Sequence, residues 1–154
     1  MSPETWATIG GAIALVGGMV GSSIGMALGA SAGTATMAED PGQFKNVIIL
    51  AALPVTQTFY ALIVTILVVT SVIPNLPVDG SKGIAVLGIC MIAAAAELFS
   101  AIYQGSVCAS GISLLPKTKG QIFTGTMLLA VYVELVGVLG LVFCIMTFSL
   151  LGLM

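Results

Sequence analysis

The sequence predicts an all-α membrane protein in which four transmembrane helices form two tandem, duplicated hairpins and assemble into a homo-oligomeric ring. Composition, four long apolar runs and an internal repeat predict the helices and the hairpins, and a stripe of small residues along the first helix favours the ring. Of 154 residues, 58% are hydrophobic, while six are acidic and four basic. Soluble domains carry about a quarter charged residues, so this chain cannot cover a surface in water. A net charge of −2 with no basic run also argues against nucleic acid as a partner.

The four apolar runs are each longer than the ~20 residues that a helix needs to cross a bilayer core. Helices are required there, because a lone strand would leave its backbone groups unpaired in lipid. The connections contain proline and glycine, which interrupt helices, and their shortness makes successive helices antiparallel. The runs cover about residues 6–36, 46–73, 83–115 and 121–152, and the connections are residues 39–45, 74–83 and 116–121.

The second half of the chain repeats the first. An offset of 77 residues aligns Phe44 with Gln121 and Gln57 with Glu134, and the hairpin lengths agree. We therefore predict two fused hairpins, residues 1–76 and residues 77–154, of which the second carries the carboxylate.

Four spans place both termini and the middle connection on one side of the membrane. Lys45, Lys117 and Lys119 flank the first and third connections, whereas Lys82 alone lies on the other face. By the positive-inside tendency, residues 39–45 and 116–121 are cytoplasmic and the termini are outside. The chain starts without the positively charged region of a secretory signal, so we expect the first helix to be retained.

Small residues form a stripe along the first helix, where glycine recurs at every fourth position from Gly17 to Gly33. Small residues at this spacing allow close helix packing in lipid, and Ala93, Ala101, Gly105 and Ala109 echo the pattern in the third helix. Successive glycines of the stripe are offset by about 40° around the helix axis, so the stripe covers a broad surface. It therefore favours an inner helix of a crowded ring over packing inside one bundle. Cys90, Cys108 and Cys144 lie in apolar runs, and we expect them to be small buried hydrophobes.

Two ionisable residues, Glu97 and Glu134, lie within the spans, and intramembrane carboxylates usually mark ion paths. Counted from the cytoplasmic lysines, Gln57 is 12 residues deep, Gln104 is 13 and Glu134 is 15. These counts correspond to roughly 18, 20 and 22 Å of helix rise, so three helices bring two amides and a carboxylate to one level. Other polar groups nearby are Thr56, Thr58 and Tyr60.

Pro54 removes a backbone donor and bends the second helix, which leaves a carbonyl near Leu50 without its usual partner. With the Thr56 hydroxyl, the two glutamine carbonyls and the Glu134 carboxylate, it completes an all-oxygen shell suited to a hard cation. A proton needs the carboxylate alone. Hydrogen bonding between helices with no ion is the third interpretation.

Three segments together resemble the membrane rotor proteolipid of V-type ATPases, also called the K or c subunit, and most closely its bacterial sodium-pumping type. They are Leu53-Pro-Val-Thr-Gln-Thr-Phe-Tyr60, Phe99-Ser-Ala-Ile-Tyr-Gln-Gly105 and Val133-Glu-Leu135. The resemblance covers nearly the whole chain. It implies a multi-pass protein of a prokaryotic plasma membrane and places the Na⁺ ligands on Thr56, Gln57, Gln104, Glu134 and the carbonyl of Leu53, with H⁺ as the alternative ion. Tyr60 matches a tyrosine that hydrogen-bonds the carboxylate.

The same resemblance implies a ring of identical subunits in membrane lipid, which turns against a stator subunit with an essential arginine and is joined to central-stalk subunits. ATP is hydrolysed on other subunits, and this chain has no GxxxxGK[ST] phosphate loop. Because Gln57 stands at the position equivalent to Glu134, each chain carries one such site per four helices.

Glu97 departs from the family pattern, where we expect a small residue. It lies seven residues before Gln104, on nearly the same face of the third helix. We expect a protonated carboxyl that makes a hydrogen bond inside the packed layer, and the rival hypothesis is a second titrating site.

Two other functions fit four apolar spans. A small secondary transporter can use one membrane carboxylate, but it needs neither the duplication nor the oxygen-rich cluster. A structural tetraspan junction protein is the other, and residues 74–83 lack the length and the cysteines that adhesion requires.

Overall fold

The computed structural model describes residues 2–77 and 81–154, and within them almost every residue is helical. Four helices in this part of the chain are long and apolar enough to cross a membrane, which confirms the predicted spans. At about 1.5 Å per residue, the 38 residues of the third helix rise far beyond the ~30 Å of a bilayer core. The first to fourth helices are Pro3–Glu39, Pro41–Asn75, Ser81–Thr118 and Phe123–Leu150.

The second helix contains three breaks in its α-helical pattern. A 3₁₀ turn opens it at Pro41–Gln43, a second occupies Leu53–Val55, and a π-helical turn at Val68–Val72 runs into a third 3₁₀ turn at Ile73–Asn75. Each 3₁₀ turn contains a proline, which cannot donate the usual backbone hydrogen bond. The regular α-helical parts are Phe44–Ala52 and Thr56–Leu67.

The connection between the third and fourth helices starts later than the sequence predicts. The third helix continues through Pro116 to Thr118, so the prediction of a break at residue 116 is wrong. The helix ends where Lys119 and Gly120 adopt φ of 50° and 83°, and the Gly120 N–H donates to the Leu115 carbonyl at 3.0 Å. The left-handed pair Lys119–Gly120, rather than the proline, therefore ends this helix.

Both termini and the middle connection meet at one end of the bundle. There the Lys82 ammonium donates to the Leu151 carbonyl at 2.9 Å, and Pro3 lies against Gly83. At the opposite end, a Cβ on Gly120 would lie 3.2 Å from side-chain atoms of both Gln43 and Asn46. The described part of the chain therefore has the predicted antiparallel order. Residues 78–80, which belong to the predicted connection at 74–83, lie outside the described residues.

The first and third helices, which are equivalent in the repeat, pack in parallel along their length. Gly17 lies against the backbone of Ala94, Gly21 against that of Leu98, and Gly25 against those of Ala101 and Gly105. Nearer the first connection the stripe turns toward the second helix, where Gly29 meets Ala51 and Gly33 meets Val47. The expected offset around the helix axis is therefore present. The stripe packs inside one chain, which is the alternative that the sequence disfavoured.

Two apolar clusters occupy the two ends of the bundle. The cluster near the termini contains Val64, Cys90, Cys144 and Phe148, and the cluster near the first and third connections contains Leu50, Cys108 and Ile112. All three cysteines are buried and unpaired, as predicted. A layer of buried polar side chains lies between the clusters.

Candidate functional site

The polar layer joins side chains from the second, third and fourth helices at a single level. This confirms the prediction that Gln57, Gln104 and Glu134 share one depth, because a continuous set of hydrogen bonds connects them. Gln57 and Gln104 are fully buried, whereas Glu134 is half-buried. The fourth helix is the least buried of the four, so its carboxylate lies at the edge of the bundle.

Glu134 receives one hydrogen bond on each carboxylate oxygen. The Tyr60 hydroxyl donates to Oε1 at 2.8 Å, and Gln104 Nε2 donates to Oε2 at 3.1 Å. Hydrogen bonds to an ionised acceptor are stronger than neutral ones, so the two donors hold the carboxylate in place. The expected contact between Tyr60 and Glu134 is confirmed.

The two buried amides have defined orientations. Gln57 Nε2 donates to Gln104 Oε1 at 2.9 Å and to Ser100 Oγ at 3.0 Å. This contact directs the Gln104 oxygen toward Gln57 and its nitrogen toward Glu134. The Gln57 oxygen lies on the opposite side, 3.2 Å from the hydroxyl of Thr56.

Pro54 changes the backbone next to these amides, beside the Leu53 carbonyl that the resemblance implies as a ligand. The 3₁₀ turn at Leu53–Val55 brings the Leu53 carbonyl to 3.2 Å from the Thr56 hydroxyl. The Leu53 carbonyl therefore lies beside the cluster. Leu53, Thr56 and Gln57 now present three oxygens on one side of the layer.

The convergence of polar groups on Glu134 is less direct than predicted. Tyr60 and Gln104 hydrogen-bond the carboxylate, whereas Thr56 and Gln57 reach it through Gln104. Thr58 lies apart from the cluster, because its hydroxyl donates to the Gly18 carbonyl on the first helix at 3.3 Å.

Ser100 is a member of the cluster that the sequence reasoning missed. Its hydroxyl accepts from Gln57 Nε2 and donates to the Val133 carbonyl at 3.0 Å, so it ties the second helix to the fourth. The signal was available, since Ser100 precedes Gln104 by four residues and so faces the same side of the third helix.

Glu97 is fully buried, and neither of its carboxyl oxygens has a hydrogen-bond partner. The expectation of a hydrogen bond within the packed layer is therefore wrong in this arrangement. The carboxyl points at the fourth helix, where a Cβ on Gly137 would lie 2.6 Å from Glu97 Oε2. Burial of an ionised carboxylate without a partner costs far too much, so Glu97 carries its proton here.

Comparison with known proteins gives two matches. The family model for the ATP synthase C subunit matches the chain twice, at residues 9–68 and 87–147. The chain is also 32% identical over 142 residues to V-type sodium ATPase subunit K from Enterococcus hirae, and the match covers 89% of this chain and 86% of that protein. The two family segments start 78 residues apart, which agrees with the internal repeat.

Proposed function

The chain belongs to the family of the ATP synthase C subunit and is an ion-carrying rotor subunit of an ATPase; from that premise we propose that it carries Na⁺ on Glu134. Membership of this family excludes the secondary transporter and the junction protein. It also makes the chain a multi-pass membrane protein that assembles with identical subunits into a ring and with the other subunits of the ATPase.

The observation that carries the Na⁺ proposal is the set of polar groups gathered round one carboxylate. A proton carrier needs a carboxylate alone, and each additional buried amide or hydroxyl adds a desolvation cost. Here the Leu53 carbonyl, the Thr56 hydroxyl and the Gln57 amide oxygen are close together, beside Gln104 and Glu134. Such oxygens replace the hydration shell of a hard cation. The sodium ATPase relative supports the same choice.

Gln104 has to change its hydrogen bonds if its oxygen is to be a ligand. Its nitrogen now donates to Glu134, and its oxygen accepts from Gln57. A half-turn of the amide faces the oxygen toward the carboxylate, and it also turns the Gln104 nitrogen toward Gln57 Nε2, which is itself a donor. Gln57 then loses this acceptor and keeps Ser100. The cation then replaces the Gln104 donor as the group that neutralises Glu134, and Tyr60 keeps its contact.

H⁺ is the alternative ion, and the contacts of Glu134 argue against it. An acid proton on Glu134 has to donate to an acceptor. Its Oε2 faces the amide N–H of Gln104, which is a donor. A proton on Oε1 would have to use the Tyr60 hydroxyl oxygen as its acceptor, which reverses the hydrogen bond present here.

Charge explains how a bound ion couples to rotation. An ionised Glu134 at the edge of the bundle is costly against lipid, whereas Glu134 with Na⁺ is nearly neutral. A stator arginine pairs with the emptied carboxylate, so release takes place at the stator and rotation acquires a direction. ATP is hydrolysed on other subunits, and the central stalk transmits the rotation to this ring.

We further propose that residues 1–76 and 77–154 are the two fused hairpins, which the separate family matches support. Residues 39–45 and 116–121 face the cytoplasm and the termini face outward across a prokaryotic plasma membrane. The lysine distribution supports this orientation.

Equilibrium binding of radioactive sodium to the purified ring tests the proposal. We expect one saturable Na⁺ per chain, and Thr56→Val should weaken its affinity because a ligand oxygen is lost. Thr58→Val is the matched control, since the Thr58 hydroxyl contacts Gly18 instead, and it should leave the affinity unchanged. Failure of the wild-type ring to bind sodium more tightly than potassium would overturn the proposal.

A further inference from the structure

Glu97 is a buried carboxyl that the proposed ion site does not use. Its two oxygens and the Ser22 hydroxyl oxygen are the buried side-chain oxygens without a hydrogen-bond partner in the described part of the chain. Because Glu97 is completely enclosed by its own chain, a neighbouring subunit in the ring cannot supply the partner. Burial of a carboxyl without a hydrogen-bond partner is unfavourable, which points to a role for Glu97 inside the chain.

The surroundings of Glu97 connect it to the polar layer. The point where a Cβ on Gly137 would lie is 2.6 Å from Glu97 Oε2 and 3.3 Å from Ser100 Oγ. The same point is 3.3 Å from Gln57 Cγ. Gly137 therefore leaves room for the carboxyl beside the hydrogen-bonded pair of Ser100 and Gln57, one turn along the fourth helix from Glu134.

Ser100 can accept one more hydrogen bond. A serine hydroxyl has one hydrogen and two lone pairs; the hydrogen goes to the Val133 carbonyl, and one lone pair accepts from Gln57 Nε2. Glu97 precedes Ser100 by three residues on the same helix, a spacing at which side chains meet. Glu97 Oε2 and Ser100 Oγ both lie within 3.3 Å of the same Cβ point of Gly137, so a rotation of the carboxyl toward Ser100 is the movement that a hydrogen bond between them needs.

We propose that Glu97 is a positioning residue of the ion site: its carboxyl turns toward Ser100, donates a hydrogen bond from its O–H to Ser100 Oγ, and so holds the Gln57 amide with its oxygen toward Thr56. With Ser100 held in this way, Gln57 Nε2 keeps one acceptor when the Gln104 amide turns, so the Gln57 oxygen stays toward Thr56. Glu97 neither touches nor carries the ion. This inference rests on the proposed binding of Na⁺ near Gln57.

Sodium affinity of the purified ring, measured for a set of variants, tests this role. Glu97→Leu removes the donor, and we expect it to weaken Na⁺ binding about three- to tenfold, the range that one hydrogen bond supports. Glu97→Gln retains an N–H donor and should restore most of the affinity. Cys90→Ala, which shortens a fully buried side chain seven residues earlier on the same face, controls for packing loss and should have no effect.

A double-mutant cycle tests whether Glu97 acts on the ion site through Ser100. Ser100→Ala should itself weaken Na⁺ binding, and Glu97→Leu should add nothing in that background. Three results would each overturn the inference. The first is a loss of Na⁺ affinity in Cys90→Ala equal to that in Glu97→Leu, and the second is a loss in Glu97→Gln as large as in Glu97→Leu. The third is a loss in the double variant that equals the sum of the losses in Glu97→Leu and Ser100→Ala. If Glu97→Leu binds like a wild-type ring that does bind sodium, the positioning role alone fails. A wild-type ring without sodium preference defeats the proposed function together with it.

Discussion

Glu134 combines three properties that a rotor carboxylate needs: a place at the edge of the bundle, half burial, and a donor on each oxygen. A carboxylate in lipid without compensation is costly. The donors compensate it only partly, since neither Tyr60 nor Gln104 carries a positive charge. The proposed Na⁺ completes the neutralisation, and its binding would then decide whether this residue can face lipid.

Loss of the charge at this position should stop transport. We expect Glu134→Gln to abolish Na⁺ transport by the reconstituted ATPase while the ring remains assembled, because side-chain volume is kept and charge switching is lost. Glu4→Gln, the same change at an exposed residue of the first turn, should transport like the wild type. Transport by Glu134→Gln close to the wild-type rate contradicts the assignment.

The Tyr60 hydroxyl should contribute to ion affinity through the orientation of Glu134. Tyr60→Phe removes a hydrogen bond to a charged acceptor, worth about 1.5–3 kcal/mol, part of which is lost from the ion-bound state. We expect sodium binding to weaken by at least about fivefold. Tyr103→Phe, at a side chain that is 60% exposed, is the control. The prediction fails if the two variants bind sodium equally well.

At the scale of the helices, periodicity and the cost of polar groups in lipid predict much of the architecture. The four spans, their antiparallel order and the common level of Gln57, Gln104 and Glu134 all follow from the sequence. The continuation of the third helix through Pro116 does not, because a left-handed pair of residues decides where that helix ends. Local sequence signals do not show whether Pro116 or the pair Lys119–Gly120 ends the helix.

The details of the site depend on neighbours distant in the sequence. The orientation of the Gln104 amide is fixed by Gln57, which lies 47 residues away in the chain. The lack of a partner for Glu97 depends on the two glycines that face it from the fourth helix, Gly137 and Gly140. Such contacts between helices are tertiary, so spacing within one helix could not reveal them.

Close contact between the first and third helices requires glycine at their crossing. A Cβ on Gly105 would collide with the backbone of Gly25, and the neighbouring backbone cannot give way as a flexible side chain does. We expect Gly105→Ala to lower the free energy of unfolding of the ring by about 1–3 kcal/mol per chain, measured by thermal denaturation. Gly88→Ala, on the same helix with no other atom within 4 Å of its Cβ position, should be neutral or mildly stabilising. Equal stability of both variants contradicts this packing account.

At the scale of the whole molecule, the proposed function gives each chain one ion-binding carboxylate, Glu134, per four helices. The first hairpin carries Gln57 at the position equivalent to Glu134, and Gln57 has become part of the same polar layer. A ring of such chains moves fewer ions per turn than one with a carboxylate in every hairpin.

Glu97 should not add to the number of ions carried. Its side chain is completely buried, so an ion could not exchange there without a local opening of the bundle. We expect Glu97→Gln to leave the number of Na⁺ ions moved per ATP unchanged in the reconstituted ATPase. A drop in that ratio would support the rival hypothesis of a second titrating site.

Carbodiimide labelling of the ring tests the central claim, Na⁺ at Glu134, most directly. Carbodiimides attack protonated carboxyls, so a bound cation protects Glu134. In a series at fixed pH with sodium varied against potassium, the account predicts that sodium slows labelling in a concentration-dependent manner, and that the protection weakens as pH falls because proton and Na⁺ compete for one carboxylate. Sodium that protects no better than potassium across the series would contradict the account and identify the site as a proton site.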